Sequence, residues 1–225
     1  MLLDKIISFY RGHVTIIRRG FTLVELIVGV AIMTIILGIT FSGGPQAITR
    51  AALSDNAYQV ELMIREAQLQ GSAINSLGGL YGGAGVFFDR ATSTEVLKFK
   101  DLVDDTSTNS IKIGNGLYDA SPVDEKEQPS FMFTRRNRIG HLCVATSTSP
   151  IMCNDDYTPH ITTLTISFIR PKQTAYIYIN GTKTGETYTF ACVGMYPQGA
   201  SSTQFVKSIL IYGSGMITKS DSRCG

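Results

Sequence analysis

From Phe21 to Phe41 the chain reads FTLVELIVGVAIMTIILGITF, twenty-one residues with a single ionisable side chain, Glu25. A helix rises about 1.5 Å per residue, and roughly 20 apolar residues cross a hydrocarbon core about 30 Å thick. The run is therefore long enough to span a bilayer once. Arg18 and Arg19 stand just before it, and the positive-inside rule keeps that side cytoplasmic. The remainder of the chain is expected outside the cytoplasmic, or inner, membrane, on its periplasmic or extracellular side.

A cleavable secretory signal has the same basic head and apolar stretch, but its apolar region runs about 7 to 15 residues and ends in a small-x-small site. This run is longer, and no Ala-x-Ala follows it. A plain single-span anchor explains length and orientation and leaves Glu25 unexplained. A carboxylate in an inserted helix costs up to about 2.5 to 3.5 kcal/mol at the centre, so one that persists there is expected to have a partner.

The segment Arg18-Arg19-Gly20-Phe21-Thr22-Leu23-Val24-Glu25-Leu26 resembles the cleavage and N-methylation motif of type IV pilins and type II secretion pseudopilins. The resemblance implies that a membrane-embedded prepilin peptidase cuts between Gly20 and Phe21 and methylates the new amino terminus. It also implies that Glu25 meets the amino terminus of a neighbouring pilin subunit during assembly. Opposite charges on the Phe21 amine and the Glu25 carboxylate suit that role. Residues 1–20 become a cytoplasmic leader, longer than many in the family, with apolar residues of its own such as Ile6, Phe9 and Ile16.

After the span, Gly43-Gly44-Pro45 predicts a kink or short break, because proline lacks a backbone donor and clashes with the preceding turn. Helix is expected to resume over residues 42–77 as an amphipathic spine. Leu53, Ala57, Val60, Ile64, Ala67, Gly71 and Ile74 recur at steps of four and three, forming one apolar stripe. Arg50, Asp55, Glu61, Arg65 and Glu66 fall on the outer side, where they are available to neighbouring subunits. The run Gly78 to Gly83 should end the helix.

Residues 78–225 then read as a β-rich head. Period-two segments predict strands at Gly85 to Arg90, Glu95 to Asp101, Ser130 to Arg135, Leu164 to Arg170, Thr174 to Asn180, Thr187 to Gly194 and Phe205 to Tyr212, with another over Gly215 to Lys219. Leu164-Thr165-Ile166-Ser167-Phe168 alternates cleanly, as in an antiparallel sheet with one buried face. Asn180-Gly181 is a tight-turn pair, and the Asp101 to Ser130 connection is expected to be irregular. The fold class is α+β: a long N-terminal transmembrane and spine helix on an antiparallel β-sheet head. That order again resembles pilins. The GspH/FimT-like minor pseudopilin branch is the nearest by Arg65-Glu66-Ala67-Gln68, Gly85-Val86-Phe87-Phe88 and the segment from Ser208 to Gly215.

Four cysteines, Cys143, Cys153, Cys192 and Cys224, lie on the exported side, where oxidation is favoured, and four allow three connectivities. Loop closure favours Cys143 with Cys153 and Cys192 with Cys224, at about 3 to 4 kcal/mol each in the chain-entropy picture. The family resemblance, in which a C-terminal loop is often closed this way, agrees with the second pair.

Zinc on His141, Cys143, Cys153 and His160 lacks the short paired-cysteine spacing of structural zinc modules. Calcium at Asn154 to Asp156 or at Asp104 and Asp105 has oxygen ligands without a recognisable loop. No metal or cofactor is expected. With the leader removed, His141 and His160 are the only histidines, and no Gly-x-Ser-x-Gly motif accompanies them, so an enzyme is not expected.

The net charge of +2, from 20 basic and 18 acidic residues, gives no bulk attraction to nucleic acid. A local exception is Arg135, Arg136 and Arg138 after Phe131 and Phe133, where guanidinium groups near aromatic rings offer a DNA contact. The expected function is structural: a membrane-stored subunit, processed and then assembled through its N-terminal helix. A DNA-binding minor pilin and a plain membrane-anchored binding domain are the alternatives.

Overall fold

The computed structural model describes residues 20–72, 81–102, 115–119, 126–154, 160–169, 173–182, 187–198 and 206–224. The chain divides into two compact units, with the boundary between Pro45 and Gln46. The described elements are a helix, α1 (Leu23–Ser72), and ten strands. These are β1 (Tyr81–Asp89), β2 (Glu95–Leu102), β3 (Lys126–Met132), β4 (Asn137–Thr146), β5 (Met152–Cys153), β6 (Thr163–Ile169), β7 (Ala175–Ile179), β8 (Tyr188–Pro197), β9 (Lys207–Tyr212) and β10 (Ile217–Ser220).

Of the kink or short break expected at Gly43-Gly44-Pro45, the break is corrected, because helix is continuous through these residues. A proline forfeits one intrahelical bond, which the flanking turns of a long helix can absorb. Of the expected glycine stop, Gly78 and Gly79 lie outside the described residues, and Gly82 and Gly83 belong to β1.

The strands form two five-stranded antiparallel sheets, in the orders β3-β2-β1-β6-β7 and β10-β9-β8-β4-β5. In the first sheet the alternation of β1, β6 and β7 lines up in rows. Phe88 faces Leu164, which faces Ile179; Val86 faces Ile166, which faces Ile177; and Ala84 faces Phe168, which faces Ala175. In the second sheet Leu142 faces Val193, which faces Ile209, while Val144 faces Ala191, which faces Ile211. Both sets share one core with Leu53, Ala57, Val60, Ile64 and Ala67 of α1. The apolar stripe of the spine is thus its buried face, except that Ile74 falls outside the described residues. Gly71 permits the closest approach, since a Cβ there would stand 2.2 Å from the Phe168 carbonyl oxygen.

Backbone bonds seam the sheets together. Ile139 N donates to Ser93 O at 2.7 Å on one side, and Ala175 N donates to Gly213 O at 3.1 Å on the other. Part of the long connection after β2 covers the outer face of the first sheet, with the Tyr118 ring 4.9 Å from Phe87 and 5.7 Å from Phe99.

Three expectations change. β4 lies in a segment from which the period-two pattern predicts no strand: it is buried on both faces, so it carries no polar alternation to read. β3 begins at Lys126 and stops at Met132, which puts Arg135 in a turn rather than a strand. The outer residues of the spine are also turned to internal use. Glu61 is buried and paired with Arg65 and Lys219, and Glu66 holds Lys98 of β2 at 2.6 Å.

Candidate functional site

Gly20 and Phe21 precede α1 and are exposed. The helix starts where Thr22 can cap it: its hydroxyl accepts the Glu25 N–H at 3.3 Å, and its carbonyl accepts the Leu26 N–H at 3.2 Å. Thr22-x-x-Glu25 is the spacing of a capping box, a start signal visible in the sequence that a reading centred on the cleavage site overlooks. Glu25 consequently sits in the first turn, where a negative charge is favoured by the helix dipole.

From Leu23 to Thr40 the helix is long and apolar enough to cross a membrane, and its surface is open along the whole length. The two hydroxyls inside this stretch are satisfied locally. Thr34 Oγ1 donates to Ala31 O at 2.8 Å, and Thr40 Oγ1 donates to Ile36 O at 2.8 Å. Such bonds let threonine sit in hydrocarbon at little cost. That leaves Glu25 as the ionisable group in an otherwise self-satisfied apolar helix.

Residues 17–41 match the family described as the prokaryotic N-terminal methylation motif. No curated protein and no solved structure matches the chain. The motif marks a prepilin-like substrate of the type IV pilin or pseudopilin kind, which implies processing by a prepilin peptidase and assembly with other pilin subunits. With the apolar helix it indicates a single-pass, membrane-anchored chain of structural type. Arg18 and Arg19 lie outside the described residues.

The arginine cluster is divided by the fold. Arg135 and Arg136 form the centre of a β-turn, with φ of 53° and 56°, closed by Asn137 N donating to Thr134 O at 3.2 Å. Positive φ at both central positions is the type I′ geometry, which glycine and asparagine normally occupy. Both arginines are exposed. Arg138 instead lies over the Tyr196 ring, 5.0 Å from its centre. Phe133 is buried and meets Phe131 edge-on at 5.4 Å, so these rings pack in the core rather than beside the turn, which corrects the expected stacking role.

The cysteines form two bridges, Cys143 with Cys153 and Cys192 with Cys224. All four gather on the outer face of the second sheet. The zinc quartet is not assembled, because Cys143 and Cys153 spend their sulfurs on each other. His141 is buried beside Tyr196 at 5.8 Å between ring centres, and His160 Nδ1 sits 3.0 Å from Asn154 O. Asn154 Oδ1 accepts the Leu142 N–H at 3.2 Å. Asp104, Asp105, Asp155 and Asp156 lie outside the described residues.

Proposed function

We propose that the chain is a minor structural subunit of a type IV pilus or a type II secretion pseudopilus, of the GspH/FimT-like branch. It is stored in the inner membrane through residues 21–41, with its N-terminus cytoplasmic and its β-rich head outside. The observation that carries this reading is the methylation motif at residues 17–41 running directly into a span whose ionisable side chain is Glu25. Cleavage after Gly20 places a cationic amine on Phe21. In hydrocarbon the Glu25 carboxylate is unfavourable alone, and an amine from a neighbouring subunit offsets that cost. Charge pairing therefore gives the docking of a new subunit a defined depth. The head, closed by two disulfides, fits an oxidising compartment.

Mass spectrometry of the N-terminus, in cells that contain a prepilin peptidase, tests the reading. Wild type should begin with methylated Phe21, and Gly20→Ala should lose that product. An uncut Met1 terminus in both would overturn the pilin pathway and favour a permanent anchor, whose function would also survive replacement of Glu25.

A second reading, a DNA-binding minor pilin, draws support from the exposed Arg135–Arg136 turn. Its test is DNA retention and its salt dependence in a chain with Arg135, Arg136 and Arg138 all changed to alanine. Unchanged retention removes it.

A further inference from the structure

Cys143 is in register with two other cysteines at once: with Cys153 on β5 and with Cys192 on β8. The three form one row on the outer face of the second sheet, and Cys224 joins the same cluster. Residues directly opposite in an antiparallel pair have Cα atoms about 4.5 to 5.5 Å apart, inside the roughly 4.4 to 6.8 Å range that disulfides occupy. Cys143 is therefore placed to bond with Cys192 without any change of strand pairing. Burial separates the four sulfurs' roles: Cys143 and Cys192 are fully buried, Cys224 is 4% exposed, and Cys153 is partly exposed.

We propose that this row is a thiol–disulfide exchange relay, with a small dithiol or a dithiol oxidoreductase as its partner, entered at Cys153 and ending at Cys224. A thiolate of the partner attacks Cys153 Sγ, forming a mixed disulfide and expelling the Cys143 thiolate. That thiolate attacks Cys192 Sγ, the Cys143–Cys192 bond forms, and the Cys192–Cys224 bond breaks, with Cys224 leaving as a thiolate that takes up a proton. The second thiol of the partner then attacks its own sulfur in the mixed disulfide, releasing Cys153 as a thiol. The partner leaves as a disulfide and the protein has gained two electrons, ending with one bond, Cys143–Cys192, and two thiols.

The relay couples a partly exposed entry point to the C-terminal segment. That segment is tied down by the Cys192–Cys224 bond and by Ser208 Oγ donating to Ser222 O at 2.7 Å. After exchange the covalent tie is gone, while the strands stay bridged through β4 and β8.

The test uses the full-length chain in detergent, treated with one equivalent of dithiothreitol, trapped by alkylation and mapped by peptide mass spectrometry. The two-electron-reduced species should carry alkyl groups on Cys153 and Cys224 and retain a Cys143–Cys192 bond. Alkylation of Cys143 with Cys153, alkylation of Cys192 with Cys224, or conversion straight to four thiols would each overturn the relay. Cys153→Ser reads the internal step without a reductant: it should expose Cys224, not Cys143, to alkylation.

Discussion

Lys219 of β10 reaches Glu61 of α1, with Nζ 3.1 Å from Oε2 and 4.9 Å from the centre of the Tyr58 ring. Arg65 holds the other carboxylate oxygen at 2.8 Å and donates to Ile217 O at 3.2 Å. The helix is thus clamped to the edge strand of the second sheet by charge as well as by apolar burial, and the Ile217 carbonyl of that edge is capped.

Acid should loosen this clamp. Burial alone would raise the Glu61 carboxyl, but hydrogen bonds and charge from Arg65 and Lys219 outweigh it and hold it below its ordinary value of 4.5. A group whose folded value is depressed stabilises above its unfolded value and loses that contribution as pH falls through the folded one. Glu61→Gln should therefore cost about 1 kcal/mol at neutral pH, a modest figure because its partners are half exposed. It should cost less at pH 3. Urea midpoints at the two pH values measure this, and equal losses at both would contradict the charge pairing.

Asn56 should matter more than its polarity suggests. It is fully buried, and its Oδ1 accepts from Thr134 N at 3.3 Å and Oγ1 at 3.0 Å, while Nδ2 donates to Thr134 O at 3.2 Å. Asn56→Ala leaves the Thr134 groups short of partners and should destabilise by about 1 to 3 kcal/mol. Thermal unfolding of the full chain in detergent would read the loss, which should exceed that of Ser54→Ala on the exposed face of the same helix.

The turn beside it should respond in the opposite sense. Left-handed backbone costs a residue with a side chain roughly 1 to 2 kcal/mol, and Asn-Gly is the preferred pair for this turn type. Arg135→Asn with Arg136→Gly should stabilise the head by about 1 kcal/mol. The same double variant tests whether that strain serves a contact: DNA retention should fall as stability rises if the second functional reading holds.

Glu25→Gln keeps the apolar helix and removes its charge. Membrane insertion should be unchanged, while incorporation into sheared filaments or cross-linked pseudopili should fall at least tenfold, about 1.4 kcal/mol at the assembly step. Equal incorporation would mean that Glu25 serves only as the helix-starting acid opposite Thr22.

Much of this molecule is legible in one dimension because the relevant physics is local. Span length, the basic residues before it and the Gly20–Glu25 spacing are properties of consecutive residues, and they carry the motif that the family match shows at residues 17–41. The spine stripe and most strands follow from periods of 3.6 and 2. β4 escapes because a strand covered on both faces has no alternation, and Arg138, Gly140 and His141 disguise it further. Gly140 is needed there because the Tyr196 ring lies 1.4 Å from where its Cβ would stand.

How distant segments meet was decided in three dimensions. Loop closure favoured the cysteine pairing that forms, Cys143 with Cys153 and Cys192 with Cys224, but not the strand register that brings the sulfurs together. Register across β5, β4 and β8 sets Cys143 between two rivals, and the cover given by the C-terminal segment brings Cys224 to Cys192. Likewise Arg135, Arg136 and Arg138 are neighbours in the chain but not in role, since a turn closed at Thr134 and anchored by Asn56 exposes two of them and folds the third onto Tyr196. Local pattern determines which segments form helix and strand, whereas burial across long loops selects which of their side chains meet, because that selection depends on contacts no short window of sequence contains.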